Sequence, residues 1–458
     1  MVPAGQAPAG EEPRMTTLDL TKLPDYLKHQ RWFSGKAWPI KHVTVMDHAA
    51  VESGGCSFSL AVVEVIYELG SPERYLLPVH PSTEGVRDAL ESDECLRGLF
   101  DLIRTGGQVA SASGRVQGEW IGGQDGLLAL PASPEVRRLQ VEQSNTSVVL
   151  GEKVILKIIR KLEAGVNPEH EVGRFLATKT SFRATPTLLG ALHLEGAAGA
   201  TLAVAHRFVP DATDGWKYTL DRLRQERAVG PRFQSEMRDL GTRLGELHLA
   251  FASATEEDPA FTPEPLLQED LQRWSASIVG ELGVTLADAS RQNPELENRR
   301  EDLIEHAKRL AQVPPSGQKI RIHGDLHLGQ VLRANNQWII FDFEGEPARS
   351  FTARREKYSA LRDVAGMIRS FDYAEATVAL EGGTPHERIS TMRDAFVEGY
   401  RQVTRGAPFL PSDEDTFDVM LRAFELEKLL YEVRYEMQNR PDWVRIPLQA
   451  LLRMEASK

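Results

Sequence analysis

The pattern that restricts the possible folds most strongly is a polar loop followed by two short apolar strands in residues 322–344. Asn335 and Asn336 stand between the strands, and asparagine tolerates the positive φ angles of a two-residue hairpin turn. With these residues at the tip, Arg333 faces Trp338 across the hairpin. The pattern therefore predicts a β-hairpin of fixed register.

The same register brings oxygen-bearing side chains toward one end of the hairpin. Gln330 faces Phe341 and so lies beside Asp342, while Asp325 stands on the polar loop five residues before Gln330. Carboxylate and amide oxygens suit a hard cation such as Mg²⁺, which takes few protein carboxylates and keeps waters and phosphate oxygens as its other ligands. The end of the hairpin is therefore a predicted magnesium site.

These residues match parts that phosphoryl transfer requires. Asp325 is the candidate catalytic carboxylate that orients the attacking hydroxyl, and Gln330 and Asp342 are the candidate metal ligands. The spacing from Asp325 to Gln330 equals that of the Asp-x-x-x-x-Asn catalytic loop of protein kinases, and Asp342-Phe343-Glu344 stands where those enzymes have Asp-Phe-Gly. The ordered set predicts ATP and Mg²⁺ as cofactors.

A lysine held by a glutamate is the remaining part of such a site. Residues 148–159 predict a second hairpin, whose later strand carries Lys157 on an otherwise apolar face. A helix follows, with Asn167 as its N-cap and Pro168 at its first position. We predict that Lys157 binds the nucleotide phosphates and that Glu171, in this helix, is its partner.

Two further segments are candidates for nucleotide contacts. No Walker sequence is present, and the glycines of residues 122–126 favour a plain turn. Small polar residues that lead into the lysine hairpin can bond phosphates through hydroxyl and backbone N–H groups; they are Ser144, Asn145, Thr146 and Ser147. The residues that end the strand-rich part are predicted to form an interlobe hinge and to contact adenine; they are Arg207, Phe208 and Val209.

Two other chemistries are open at this stage. His323 and His327 flank Asp325 with a spacing that resembles a zinc site, although no third group of ligands follows. Asp342 and Glu344 resemble the acid pair of a glycoside hydrolase. Alternate residues of a strand share a face only while the strand continues, so the geometry of this pair depends on where the strand ends.

Composition narrows the class of protein. The chain has 458 residues, with 54 Lys and Arg against 66 Asp and Glu, and its net charge of −12 disfavours nucleic acid and anionic membrane surfaces as partners. No apolar run approaches the roughly 20 residues that cross a bilayer. Cys56 and Cys95 are too few for a disulfide framework and are predicted to be reduced thiols of a cytoplasmic protein. We expect residues 1–14 to be a disordered tail, with Met15 as an alternative start.

The secondary-structure pattern changes along the chain. A strand-rich part, with one near-helical stretch at residues 84–103, precedes a mostly helical part. Apolar periodicity predicts long helices in the later part, at residues 233–251, 266–286, 295–310 and 416–438. We place domain boundaries near residues 90 and 208, which gives segments 15–90, 91–208 and 209–458.

Several longer motifs carry a resemblance to a known family. The chain resembles the bacterial maltokinases, relatives of the aminoglycoside phosphotransferases within the protein-kinase-like superfamily. The residues that carry it are Arg31-Trp32-Phe33, Asn145-Thr146-Ser147, Asp211-Ala212-Thr213-Asp214-Gly215-Trp216, His323-Gly324-Asp325-Leu326-His327-Leu328-Gly329-Gln330, Asp342-Phe343-Glu344-Gly345-Glu346-Pro347 and Leu361-Arg362-Asp363-Val364-Ala365-Gly366-Met367. Gln330 in place of Asn, Glu344 in place of Gly and the missing glycine-rich loop match that family and depart from protein kinases.

The resemblance implies an α+β, bilobal, protein-kinase-like fold. Its strand-rich N-lobe would comprise an N-terminal cap at 15–90 and an intermediate nucleotide-binding subdomain at 91–208, and its helical C-lobe at 209–458 would carry the catalytic and sugar-binding residues. It also implies transfer of the γ-phosphate of ATP to the anomeric hydroxyl of maltose, giving maltose 1-phosphate for α-glucan (glycogen) synthesis.

Candidate sugar contacts lie mainly on the last long helix. Lys428, Tyr431, Glu432 and Tyr435 are spaced i, i+3, i+4 and i+7, so they share one helix face that can stack on pyranose rings and bond hydroxyls. The same spacing also fits a partly buried helix with ion pairs. Two residues near the catalytic motifs are added as candidate sugar contacts, namely His327 and Glu344.

Two alternative functions are open from the sequence. A kinase of the same fold acting on glucosamine or an aminoglycoside would need an acidic pocket, for which Glu425, Glu427 and Glu432 are candidates. A non-catalytic nucleotide-binding scaffold, serving as a partner of trehalose synthase, is the alternative from another class. The presence of a base, a lysine and metal ligands together favours an enzyme.

Overall fold

The computed structural model describes residues 20–454 apart from 54, 81–84, 124–129, 132, 140–143, 198, 226–228, 292 and 383–387. The predicted tail at 1–14, the alternative start at Met15 and part of the predicted turn at 122–126 lie outside the described residues. The chain forms two compact units. The N-terminal unit comprises residues up to 178 together with 186–210, and the C-terminal unit comprises residues 179–185 together with 211–458.

The N-terminal unit is built on two antiparallel sheets. One has the strand order β1-β2-β3-β9 and the other β4-β5-β10-β11-β8-β7-β6. Its strands are β1 Ile40–Ser53, β2 Cys56–Tyr67, β3 Glu73–Val79, β4 Gln108–Ala110, β5 Arg115–Trp120, β6 Val136–Arg138, β7 Thr146–Leu150, β8 Val154–Ile158, β9 Lys161–Leu162, β10 Leu188–Glu195 and β11 Ala200–Arg207. Its helices are α1 Leu23–His29, α2 Asp93–Thr105 and α3 Pro168–Lys179.

Strand β2 shows why the four-stranded sheet has a core on each side. Its residues alternate between the two faces, and both faces are apolar. Phe58 and Leu60 pack into one core with α2 and the seven-stranded sheet. Ala61 and Val63 pack into a second core with α1. A strand covered on both faces has apolar residues at consecutive positions, as β2 has from Leu60 to Val63.

The lysine hairpin and the helix after it are confirmed. β7 and β8 pair with Val148 opposite Leu156, as the predicted turn requires. Asn167 Oδ1 accepts the backbone N–H of Glu169 at 2.7 Å, so it caps α3 as predicted. The predicted helix at 84–103 is partly wrong. Its α-helical part begins only at Asp93, because the hydroxyl of Ser92 accepts the Cys95 N–H and caps the helix there.

The prediction of two reduced thiols is also wrong for this structure. Cys56 and Cys95 are joined by a disulfide. The two cysteines are 39 residues apart in the sequence, on β2 and α2, and the core shared by these elements brings them together. Spacing along the chain gave no indication of this pairing.

The C-terminal unit is mostly helical and carries two small antiparallel sheets, β12-β15-β16 and β13-β14. Its helices are α4 Gly215–Gln225, α5 Pro231–Ala252, α6 Gln268–Ala289, α7 Arg300–Arg309, α8 Phe351–Arg354, α9 Leu361–Leu380, α10 Arg388–Val403, α11 Glu414–Asn439 and α12 Arg445–Arg453. Its strands are β12 Thr213–Asp214, β13 Glu264–Pro265, β14 Gln318–Lys319, β15 Val331–Ala334 and β16 Gln337–Ile340. None of the helices described is both long and apolar enough to cross a membrane.

The hairpin that restricted the fold has the predicted register. Arg333 pairs with Trp338. Beyond the paired strands, Phe341 N–H donates to the Gln330 carbonyl at 3.1 Å. Asn335 and Asn336 have φ angles of 49° and 58°, the values that a two-residue turn with two positive φ angles requires. The predicted helices at 233–251, 266–286 and 416–438 are confirmed as α5, α6 and α11, whereas that at 295–310 begins with a 3₁₀ turn.

Candidate active site

The polar loop that carries Asp325, the candidate catalytic residue, is anchored by a buried carboxylate. Asp363, near the start of α9, accepts the backbone N–H groups of His323 at 2.7 Å and Gly324 at 2.9 Å. It also lies 3.1 Å from His248 Nε2, and the other nitrogen of that ring lies 2.9 Å from the Tyr400 hydroxyl. Burial alone would raise the pKa of Asp363, but these hydrogen bonds, led by that of His248, hold the pKa below its usual range.

His323 joins this loop to the end of the hairpin. Its Nε2 lies 2.9 Å from the Phe341 carbonyl oxygen, which can only accept, so Nε2 carries the proton. Its Nδ1 is then the acceptor for the Asp325 N–H at 3.4 Å. The structure therefore assigns His323 to positioning the loop.

A glycine in α9 lets the loop approach the helix backbone. A Cβ placed on Gly366 would lie 2.6 Å from the Leu326 carbonyl oxygen, which is closer than real Cβ contacts allow. The Leu328 N–H donates to the hydroxyl of Ser370, one turn further along α9. The loop thus lies directly on α9, which holds it at both ends.

The Asp325 side chain contacts a lysine from the last long helix. Lys428 Nζ donates to Asp325 Oδ1 at 3.1 Å and to Glu346 Oε1 at 3.3 Å, and it lies 4.5 Å above the Tyr431 ring. Burial alone would lower the pKa of Lys428, but the Asp325 and Glu346 carboxylates outweigh burial and raise it. Lys428 is therefore an ammonium ion shared between the two carboxylates.

An extended ion-pair network surrounds this contact. Arg349 bonds Glu346 at 3.1 Å and Glu427 at 2.9 Å. Arg362 bonds Glu427 at 3.0 Å and Glu346 at 3.4 Å. Burial would raise the pKa of Glu346, but Lys428 and the two arginines hold it below the usual value. Each of these carboxylates therefore already has cationic partners.

The predicted metal ligands lie where the hairpin ends. β16 ends at Ile340, so Asp342 and Glu344 follow the strand, and their carboxylate oxygens lie within 4.8 Å of each other. Asp342 has a φ of 67°, a conformation that costs a non-glycine residue on the order of 1 kcal/mol and that clusters at functional sites. Together with the amide of Gln330 these are hard oxygen donors, so the residues fit Mg²⁺.

In the N-terminal unit, Lys157 bonds to a glutamate of α3. Its Nζ donates to Glu169 Oε2 at 2.8 Å, and both side chains are more than 90% buried. The second oxygen of Glu169 lies 3.7 Å from His206 Nδ1. Glu171 is two residues further along α3, about 200° around the helix axis. Glu169 is therefore a partner of Lys157, and the assignment of Glu171 stays a prediction.

The other predicted nucleotide residues lie in the N-terminal unit with defined local contacts. Asn145 Oδ1 accepts the Arg160 N–H, and Thr146 Oγ1 accepts from the Arg160 side chain at 2.9 Å. Ser144 is exposed and Ser147 is buried within β7. Arg207 ends β11, and the Phe208 N–H donates to the Lys153 carbonyl. Nucleotide contacts for this group and for Val209 stay predictions.

The predicted sugar-contacting residues differ in their burial and in their partners. Glu432 is buried in an ion pair with Arg369 of α9 at 2.9 Å, so it joins α11 to α9. Tyr431 and Tyr435 stack with ring centroids 6.0 Å apart, and Tyr435 is 42% exposed. His327 Nδ1 accepts the Gly329 N–H at 3.0 Å, and burial lowers the pKa of this imidazole. His327 therefore caps the short turn before β15.

A cavity of about 310 Å³ opens beside Asp325 in the C-terminal unit. Lys428 and Tyr431 line it, together with Glu346, Arg349 and Arg362. Its volume lies at the lower end of the range of ligand pockets, about 300–1,000 Å³. An acceptor bound in this cavity would lie beside Asp325.

The sequence interpretation assigned no role to several residues of this site. They are His248, Glu346, Arg349, Arg362 and Asp363. One signal was available, because Asp363 and Arg362 are charged residues at the start of an otherwise apolar helical run. Apart from Glu346 and Arg349, which bond each other 3 residues apart, their partners are at least 16 residues away in the sequence, so spacing could not reveal them.

Comparisons with known proteins show which families and relatives this chain is similar to. Residues 135–345 match the phosphotransferase enzyme family, and residues 26–95 match the maltokinase N-terminal cap domain. The chain is 29% identical over 339 residues to a glucosamine kinase of Mycolicibacterium smegmatis, which covers 69% of this chain and 78% of that protein. It is 28% identical over 340 residues to a glucosamine kinase of Streptacidiphilus jiangxiensis, which covers 70% and 73%.

Solved structures show the same fold. A glucosamine kinase structure superposes with a TM-score of 0.72 at 23% identity, covering 92% of this chain and 95% of that one. A glucosamine kinase in complex with glucosamine, ADP and inorganic phosphate gives a TM-score of 0.70 at 21% identity, covering 96% and 99%. The predicted α+β, protein-kinase-like fold is confirmed, and the two matched segments support a phosphotransferase enzyme of this superfamily.

Proposed function

We propose that this protein is an ATP-dependent sugar kinase whose acceptor is the anomeric hydroxyl of maltose, with maltose 1-phosphate for α-glucan synthesis as its product. The observation that supports this most directly is Asp325, held on an anchored loop beside a cavity lined by paired charges and Tyr431. The match of residues 26–95 to the maltokinase cap domain supports the same acceptor.

In the proposed reaction, Asp325 orients the acceptor hydroxyl and receives its proton. The acceptor oxygen forms a bond to the γ-phosphorus, while the bond from that phosphorus to the β,γ-bridging oxygen breaks and ADP leaves with the electron pair. When Asp325 turns from Lys428 to the hydroxyl, Lys428 remains bonded to Glu346. The lysine therefore keeps a buried anionic partner throughout.

In the N-terminal unit, Lys157 is proposed to bind the nucleotide phosphates. Glu169 holds its ammonium group in one place, so the lysine is oriented before the nucleotide binds. In the C-terminal unit, Asp342, Glu344 and Gln330 would hold Mg²⁺. This ion, when bound, neutralises charge on the phosphates during transfer.

The charges of the cavity favour a neutral acceptor. Glu346 and Glu427 are each bonded to Arg349 and Arg362, and Glu281 is paired with Arg434. A cationic amino sugar would have to displace one of these partners, whereas sugar hydroxyls can bond to them as they stand. The stacked pair Tyr431 and Tyr435 adds an aromatic surface suited to a second pyranose ring.

Glucosamine is the second candidate acceptor. It is favoured by the relatives named as glucosamine kinases, which align over about seven tenths of this chain. An ADP-release assay with Mg²⁺-ATP should compare maltose, maltotriose, glucose, glucosamine and kanamycin. We expect maltose to give the highest kcat/KM. Turnover with glucosamine alone would show that glucosamine, and not maltose, is the acceptor. ATP binding with no turnover on any sugar would favour the non-catalytic scaffold.

A further inference from the structure

A group of three metal-ligating side chains lies in the N-terminal unit, outside the residues used above. Glu119 Oε2 is 2.9 Å from His170 Nε2 and 3.5 Å from His193 Nε2. The three donor atoms all lie within 4.8 Å of one another, and the two imidazole ring centroids are 4.5 Å apart. The group is partly accessible, since the side chains of Glu119 and His193 are 27% and 20% exposed.

The fold brings these residues together from three elements. β10 pairs with β5 so that Ala191 faces Glu119. His193 is two positions beyond Ala191, so it lies on the same face of the sheet as Glu119 and diagonal to it. His170 comes from the first turn of α3, directly after Glu169. Two strands and a helix thus each contribute one ligand.

The distances suit a metal ion. Bonds of about 2.0–2.2 Å from zinc to nitrogen and oxygen separate neighbouring ligand atoms by about 3.0 Å at right angles and about 3.5 Å at tetrahedral angles. The observed 2.9 Å and 3.5 Å separations agree with these values. Arg174 Nε lies 3.3 Å from the other oxygen, Glu119 Oε1, and leaves Oε2 for the metal.

The chemistry of the donor atoms also suits a metal. Two imidazoles and one carboxylate are a donor set for first-row transition metals rather than for Mg²⁺.

We propose that Glu119, His170 and His193 form a binding site for a divalent transition-metal ion, with Zn²⁺ as the best match and water completing its shell. A metal here would join α3 to β5 and β10. Because Glu169 precedes His170 on α3 and holds Lys157, the ion would restrain the helix that positions the phosphate-binding lysine.

The test uses the full chain without an affinity tag, after treatment with a chelator and without reductant. Zn²⁺ binding is measured by titration calorimetry, and Co²⁺ binding by absorption spectroscopy, for the wild type, His193→Gln, Glu119→Gln and the control His42→Gln. His42 is an exposed histidine of β1, away from this group. The wild type and the control should bind one ion, and each ligand variant should bind at least about tenfold more weakly.

Two further readouts keep the result decisive if a variant folds poorly. Co²⁺ on the wild type should show weak visible bands without the strong near-ultraviolet absorption of cobalt bonded to sulfur. That absorption would instead place the ion at Cys56 and Cys95 in chains whose disulfide is reduced, and it would overturn the proposal. Saturating Zn²⁺ should raise the wild-type Tm but not that of His193→Gln. Equal Zn²⁺ affinity in wild type and both ligand variants, or no binding by the wild type, would also refute it.

Discussion

Lys157 in the N-terminal unit and Lys428 in the C-terminal unit are both ammonium groups bonded to carboxylates, but their surroundings differ. Lys157 and Glu169 are 9% and 8% exposed, and they face each other between a strand and a helix of the same unit. Lys428 and Asp325 are 19% and 17% exposed and border the cavity. The first pair is almost fully buried, whereas the second is accessible to a ligand in the cavity.

The bond between Lys428 and Asp325 can be broken without leaving the lysine unpaired. Lys428 keeps Glu346 when Asp325 turns away, and Glu346 is itself bonded to Arg349 and Arg362. Removing one member of a buried pair leaves an uncompensated charge, which costs several kcal/mol. The Asp325 contact is therefore suited to exchange with a substrate hydroxyl, because Lys428 is not left without a carboxylate.

The largest expected effect is that of Asp325→Asn. The amide cannot accept the hydroxyl proton, so kcat should fall by about 10³-fold, while ATP binding stays within a few-fold. Steady-state ADP release and calorimetric ATP titration measure the two quantities. Asp221→Asn, on the exposed face of α4, is the control and should keep its kcat. Retained turnover in Asp325→Asn would remove this residue from the catalytic role.

The second effect tests which glutamate holds the phosphate-binding lysine. Lys157→Met should lower kcat/KM for ATP by about 10²-fold, because a charge facing the phosphates is lost. Glu169→Gln should lower it by about tenfold, because the lysine is no longer oriented. Glu171→Gln is the matched control on the same helix and should have at least a fivefold smaller effect than Glu169→Gln. Equal effects of the two glutamate variants would contradict the assignment of Glu169 as the residue that orients Lys157.

A third prediction concerns the pH dependence of stability through Asp363. Its pKa in the folded protein lies below the unfolded value of about 3.9, so its contribution is present above that value and is lost as the pH falls through the folded pKa. Asp363→Asn should lower the free energy of unfolding by about 2–3 kcal/mol at pH 7, since hydrogen bonds to a charged acceptor are lost.

The measurement is urea unfolding from pH 7 down to pH 3. The difference between wild type and Asp363→Asn should shrink as the pH falls below about 4. Asp302→Asn, with a side chain 46% exposed, is the control and should match the wild type throughout. A difference that stays constant across this range would show that Asp363 acts through shape rather than charge.

The smallest expected effects are those of alanine substitutions at two helical glycines. Gly366→Ala should destabilise the protein by about 1–3 kcal/mol, because its Cβ would meet the Leu326 carbonyl and displace the catalytic loop. A Cβ at Gly280 of α6 meets no atom within 4 Å, so Gly280→Ala should be stabilising by up to about 1 kcal/mol. Thermal unfolding and kcat are measured for both variants. An unchanged kcat in Gly366→Ala would contradict the displacement of the loop by the added Cβ.

The comparison of the two lysines also explains what the sequence could predict. The hairpin of Lys157 and the cap of α3 follow from local rules, so both were predicted. The bond from Lys157 to Glu169 depends on side-chain directions, which the sequence pattern did not indicate. The register that places Gln330 beside Asp342 likewise follows from a two-residue turn.

The contacts of Lys428 depend on residues far apart in the chain. Asp325 is 103 positions before Lys428, and Glu346 is 82 positions before it. The helix-face pattern identified Lys428 and Tyr431 correctly as neighbours but grouped Glu432 with them, and the structure pairs Glu432 with Arg369. Cys56 and Cys95 were misassigned for the same reason, because only tertiary packing brings them together.

The most direct test of the central claim is phosphorus NMR of the product formed from maltose and Mg²⁺-ATP, with proton coupling recorded. A catalytic Asp325 beside a cavity of paired charges predicts one new phosphate ester whose phosphorus couples to the anomeric proton of maltose. ADP formation without any sugar phosphate, from maltose or from glucosamine, would contradict the assignment of this site to sugar phosphorylation.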